Sequence, residues 1–102
     1  MTDITPQSYR ILAVDDSTLI LNMVKSMLGH AGFWVMTAAS GEEALDLMKQ
    51  EGLPHLAVVD INMPFGMDGF EFCQTVHEFS DLPIIMLTAV DESETIVQAI
   101  EE

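Results

Sequence analysis

Short apolar runs alternate along this chain with stretches whose apolar residues recur every three or four positions. Residues 9–14 are rich in β-forming side chains and lead directly into Asp15, Asp16 and Ser17. Beyond them Leu19, Ile20, Met23, Val24, Met27 and Leu28 fall on one helix face, with Gly29 and Gly32 as stops. Residues 33–38 read as a second strand. Ser40 and Glu43 have capping-box spacing and open a helix carrying Ala44, Leu45 and Met48, which Gly52 and Pro54 close. Residues 56–59 form a third strand, apolar on both faces, that ends in Asp60. A turn with Pro64, Gly66 and Gly69 follows. Asp68 and Glu71 make another capping pair before a helix with Phe72, Cys73, Val76 and Phe79. Pro83 leads into a fourth strand, residues 84–87, and Asp91 with Glu94 is expected to cap a last helix bearing Ile96, Val97 and Ile100. Strands alternating with helices, and apolar on both sides, predict an α/β fold whose parallel sheet is covered on two faces.

Composition narrows the setting. With 102 residues, 49% of them hydrophobic, the chain suits one domain, residues 1–102, with one core. Its apolar runs are too short to span a membrane, and the first ten residues contain no secretory apolar segment. Cys73 is the single cysteine, so no intrachain disulfide is possible, and a reducing cytoplasm is the expected location. Seventeen Asp and Glu stand against three Lys and Arg, a formal net charge of −14. Such a surface repels nucleic acid, because phosphate binding relies on clustered cations. Most of these acids need be no more than a solvated surface; the positions of a few matter more.

In an open parallel sheet, ligands bind beyond the carboxyl ends of the strands, where the strand order reverses. The predicted strands place Asp15 and Asp16 after the first, Asp60 after the third and Thr88 after the fourth. All four should meet on one rim. Two carboxylates ~5 Å apart at an effective dielectric of ~20 repel by roughly 3 kcal/mol, so a third demands protons or a cation. An all-oxygen site suits Mg²⁺, with a carbonyl available from Asn62. Asp60 could then act as a nucleophile toward phosphorus, with Thr88 hydrogen-bonding a transferred oxygen. Singly, each residue has a plainer role: Asp16 or Ser17 as a helix cap, Thr88 as a strand former. The coincidence of four at strand ends favours the joint chemistry.

The segments Ile11-Leu12-Ala13-Val14-Asp15-Asp16-Ser17, Val59-Asp60-Ile61-Asn62-Met63-Pro64, Met67-Asp68-Gly69-Phe70-Glu71 and Pro83-Ile84-Ile85-Met86-Leu87-Thr88-Ala89 closely resemble the receiver domain of two-component response regulators. The resemblance implies a flavodoxin-like doubly wound sheet of order 2-1-3-4. It also implies phosphoryl transfer from a sensor histidine kinase or histidine phosphotransfer protein onto Asp60. Mg²⁺ would be held by Asp15, Asp16, Asp60 and the Asn62 carbonyl, and Thr88 would contact the phosphoryl group. Such a domain is a signalling phosphoacceptor and not an enzyme with turnover.

The chain departs from the family pattern at two places. Phe65-Gly66 lengthens the loop after Asp60 by one residue relative to many relatives. The family's fifth parallel strand, its terminal lysine and the fifth helix have no counterpart in these residues. The domain is therefore expected to be C-terminally incomplete, or to dimerise or swap through an exposed fourth strand. Two alternatives remain: a degenerate receiver that binds partners without phosphorylation, and a Mg²⁺-dependent aspartyl phosphohydrolase. The latter is disfavoured because Ser17, not an acid, stands two residues after Asp15. His30, His55 and His77 lack metal-ligand spacing, and the eight methionines are expected mainly as core filler.

Overall fold

The computed structural model describes residues 8–64, 66–91 and 94–100, with side chains through Leu87. Its element order is β1 (Arg10–Val14), α1 (Thr18–His30), β2 (Trp34–Ala38), α2 (Gly41–Glu51), β3 (Leu56–Asp60), α3 (Gly69–His77), β4 (Ile84–Asp91) and β5 (Glu94–Ile100). The sheet runs β2-β1-β3-β4-β5, and its first four strands are parallel. That 2-1-3-4 order is the expected one. The chain steps outward from β1 to β2, then crosses back over β1 to β3, so the order reverses beside β1.

Local sequence explains each helix start. Ser17, rather than Asp16, caps α1 by accepting the Ile20 N–H at 3.3 Å. Ser40 accepts the Glu43 N–H at 3.0 Å, while Glu43 reaches one residue further back than a standard box, to Ala39 N–H at 3.1 Å. Asp68 and Glu71 form the complete reciprocal box at the head of α3. Gly52 ends α2, and its exit is pinned by Arg10. The Arg10 guanidinium donates to the Glu51 and Leu53 carbonyls. Arg10→Met should remove both bonds and lower stability by about 1–2 kcal/mol, read as a drop in the urea midpoint with unchanged slope.

The core is thicker on one side of the sheet. Leu12, Val14, Ala57, Val59, Ile84 and Met86 point toward Ala44 and Met48 of α2 and Phe72, Cys73 and Val76 of α3. On the opposite face Ile11, Ala13, Leu21 and Val35 are buried, but Val58, Ile85 and Leu87 are only half-buried. The outer face of α1 exposes Leu19, Met23 and Met27, each at least 50% accessible. The methionines thus divide: Met48, Met63 and Met86 fill the core, whereas Met23 and Met27 do not.

The segment after Thr88 differs from expectation. The predicted last helix, with Asp91 and Glu94 as its capping pair, is instead a strand. β4 continues to Asp91, and β5 returns antiparallel along it with Thr88 opposite Ile96 and Asp91 opposite Glu94. This edge strand is antiparallel and is formed by the residues expected as a helix, so it is not the family's fifth parallel strand. The edge of β4 is also not exposed, which removes the basis for dimerisation through it. The physical reason is competition: Thr95, Ile96, Val97 and Ile100 are β-branched, and an open strand edge supplies a ladder of unpaired backbone groups that a lone helix cannot match.

Candidate functional site

β1 and β3 lie side by side with Val14 opposite Val59, so the next residues, Asp15 and Asp60, leave the sheet together at its carboxyl end. Asp15 is fixed twice: its N–H donates to Ala38 O at 3.1 Å, and its Oδ1 accepts the Ser17 N–H at 2.8 Å. Asp60 Oδ1 accepts the Asn62 N–H at 3.1 Å. Asp16 projects from the same turn and is exposed. Carboxylate oxygens of Asp15, Asp16 and Asp60 all lie within 4.8 Å of one another. These three predicted residues are brought together at the point where the strand order reverses.

Thr88 stands on β4 one residue beyond Leu87, which pairs with Asp60 and whose carbonyl accepts the Ile61 N–H at 3.0 Å. Its backbone is thus on the same rim; its side chain lies outside the described residues. Asn62 is exposed and borders an open cavity of about 690 Å³ together with Ile61, Met63, Pro64, Gly66, Asp68 and Phe70.

The electrostatics are unfavourable as the side chains stand. Burial first, then the neighbouring Asp60 and Asp16 charges, push the Asp15 carboxyl up to about 6, although the Ser17 N–H pulls the other way. Burial also raises Asp60, opposed by the Asn62 N–H and reinforced by Asp16. Arg10 gives no relief, because it sits at the far end of β1 with its guanidinium committed to carbonyls. Three clustered carboxylates, all oxygen donors and with no basic side chain bonded to them among the described residues, fit a small hard cation of the Mg²⁺ type better than a soft metal.

Two residues with clear structural work at this site carried little signal in the sequence. Gly69 begins α3 against the Asp60–Ile61 peptide, and a Cβ there would lie 2.5 Å from Asp60 O and 2.8 Å from Ile61 Cα. A glycine directly after the helix cap, where other residues are better helix formers, was the available clue. Glu42 reaches from α2 to the Met67 N–H at 3.0 Å, a long-range contact that spacing does not reveal. The histidines make no metal cluster among the described residues. His55 Nδ1 accepts the Arg10 N–H, and His77 Nε2 lies 3.0 Å from Leu82 O.

Residues 11–102 match the response regulator receiver domain family. The chain belongs to that family. A probable transcriptional regulator, ycf27, of Guillardia theta is 43% identical over 83 residues, covering 81% of this chain and 32% of the relative. Among solved structures, the receiver domain is similar to Vibrio cholerae chemotaxis protein CheY4, at 40% identity and a TM-score of 0.69, covering 83% of this chain and 72% of that one. Thermotoga maritima response regulator TrrA, solved in complex with Mg²⁺ and BeF, gives 38% identity and a TM-score of 0.73, covering 81% and 71%. The receiver domain thus spans about a third of the length of the curated relatives it matches. Among its described residues, no helix is long and apolar enough to cross a membrane.

Proposed function

We propose that this receiver domain is a Mg²⁺-dependent phosphoacceptor in a two-component phosphorelay, taking a phosphoryl group onto Asp60 from a phosphohistidine. The observation that carries this reading is the convergence of Asp15, Asp16 and Asp60 within 4.8 Å at the reversal point of the sheet. Asp60 Oδ1 is turned by the Asn62 N–H, which leaves Oδ2 to attack phosphorus. As the Asp60 O–P bond forms, the P–N bond to the donor imidazole breaks, and its electron pair leaves with the ring nitrogen. Asp15, Asp16, Asp60 and the Asn62 carbonyl would hold Mg²⁺, which offsets charge on the transferred oxygens when bound. The Thr88 hydroxyl would donate a hydrogen bond to one of those oxygens, a role its place on β4 beside the Asp60 pairing supports.

The donor would be a sensor histidine kinase or a histidine phosphotransfer protein, and the setting cytoplasmic. Similarity to regulators of transcription supports an output through other parts of a longer protein, since an acidic surface with net charge −14 is unsuited to DNA. TrrA, solved in complex with Mg²⁺ and BeF, supports the choice of metal.

Incubation with Mg²⁺ and acetyl phosphate, followed by intact-mass measurement, tests the proposal. A species heavier by one phosphoryl group is expected, absent without Mg²⁺ and absent in Asp60→Asn. Turnover of acetyl phosphate with no adduct would favour a hydrolase. No reaction at all would favour a domain that binds partners without phosphorylation.

A further inference from the structure

The loop between β3 and α3, described at residues 61–64 and 66–68, carries Asn62 at its start and the α3 cap Asp68 at its end. Asn62 and Met63 are held close to Asp60 by the Asn62 bond to Asp60 Oδ1 and by burial of Met63. Further along, a hydrogen bond joins the loop to α2, beside the packing of Met67 against the core. Glu42 Oε2 accepts the Met67 N–H at 3.0 Å, a bond spanning 25 positions of sequence. The preceding residue, Gly41, makes room for the Met67 side chain: a Cβ on Gly41 would stand 2.9 Å from Met67 Sδ. Glu42 also lies over Gly66, whose φ is +78° and whose absent Cβ would come 2.9 Å from Glu42 Oε2. Two successive residues at the head of α2 therefore grip two successive residues of the loop.

We infer that Glu42 is a positioning residue for the metal site, acting through the loop that presents the Asn62 carbonyl. This rests on the proposed phosphoacceptor function. Glu42 is not a member of the carboxylate cluster of Asp15, Asp16 and Asp60, so its effect would pass through the backbone and not through direct contact with the ion. The loop contains Gly66, which favours left-handed backbone but leaves the unbound chain many other conformations. A carboxylate accepting the Met67 N–H removes much of that freedom before the metal arrives, so less ordering remains to oppose binding. The simpler role for an acid at this position is favourable interaction with the positive end of α2, and that role depends on charge. The tether needs an acceptor oxygen, which an uncharged amide also supplies, though with a weaker bond.

The two are separated by comparing Glu42→Ala with Glu42→Gln in the intact chain. Amide hydrogen exchange at Met67 is measured in metal-free protein, and Mg²⁺ affinity by calorimetric titration, with urea unfolding of each variant confirming that the fold persists. Glu42→Ala is expected to raise Met67 exchange about tenfold, the loss of one hydrogen bond to a charged acceptor. It should also weaken Mg²⁺ binding by about fivefold. Glu42→Gln, which keeps an acceptor oxygen but not its charge, should be clearly less affected than Glu42→Ala in both. Unchanged Met67 exchange in Glu42→Ala would overturn the tether. Faster exchange with unchanged Mg²⁺ affinity would overturn its link to the site, and a Gln variant as impaired as the Ala variant would assign the effect to helix charge. If the unsubstituted protein binds no Mg²⁺, the phosphoacceptor proposal fails as well, while Met67 exchange still shows whether Glu42 holds the loop.

Discussion

Replacing Gly69 by alanine is expected to cost about 3 kcal/mol of stability and most of the capacity of Asp60 to accept phosphate. The new methyl group would lie 2.5 Å from the Asp60 carbonyl oxygen and 2.8 Å from Ile61 Cα. Both are backbone atoms, so no side-chain rotation relieves the clash. Either α3 lifts away from β3 or the Asp60–Ile61 peptide turns. The first loosens Phe72, Cys73 and Val76, all buried in the main core. The second moves the Asp60 carboxylate relative to Asp15 and breaks the Gly69 N–H bond to Ile61 O, now 3.2 Å. Small domains hold only about 5–15 kcal/mol in reserve, so a loss of this size should shift the urea midpoint clearly. Parallel measurement of phosphoryl incorporation at a denaturant-free temperature where the variant is folded separates the two effects. A Gly69→Ala protein with unchanged midpoint and full incorporation would show that α3 does not press on the Asp60 peptide.

Asp15→Asn should make the metal-free protein more stable at neutral pH while removing its benefit from Mg²⁺. Asp15 is buried at 7% accessibility, and that burial pushes its carboxyl from 3.8 up to about 6 in the fold. A carboxyl raised by folding binds its proton more tightly in the native state. Stability from that linkage is fully present below about pH 4 and is lost as pH rises through 6, where the buried charge must form. A shift of this size corresponds to at most about 3 kcal/mol, and the nearby Asp60, also raised by burial, adds in the same direction. Asparagine keeps an oxygen for the Ser17 N–H, now bonded at 2.8 Å, without the charge. In chelator the variant should therefore exceed the parent in urea midpoint at pH 7.5 and match it near pH 4. Mg²⁺ at about 1,000 times its Kd reverses the ranking, since it then adds about 4.1 kcal/mol to the protein that binds it. Equal midpoints at pH 7.5 in chelator would remove the electrostatic account of this site.

The place of Asp15 was legible because it follows from chain order. A strand apolar on both faces ends there, another ends at Asp60, and a parallel sheet puts strand ends on one rim. The same logic located Asp16 and the backbone of Thr88. Helix starts at Ser40 and Asp68 were equally readable, because a cap and its partner lie three residues apart. Residues 94–100 were not. Their apolar spacing and the Asp91–Glu94 pair pointed to a helix, and only their β-branched side chains suited the strand they form.

What the sequence determined by itself was whatever depends on neighbours within a few positions: the first three helices with their caps, the first four strands, and the acids that terminate two of them. Tertiary structure alone decided what depends on a distant surface. The open edge of β4 drew residues 94–100 into a strand, the approach of α3 to β3 left no room for a side chain at Gly69, and a bond across 25 positions joined Glu42 to the loop beside Asp60. The physical reason is shared: each is set by the free energy of one element meeting another, which does not exist until the chain has folded.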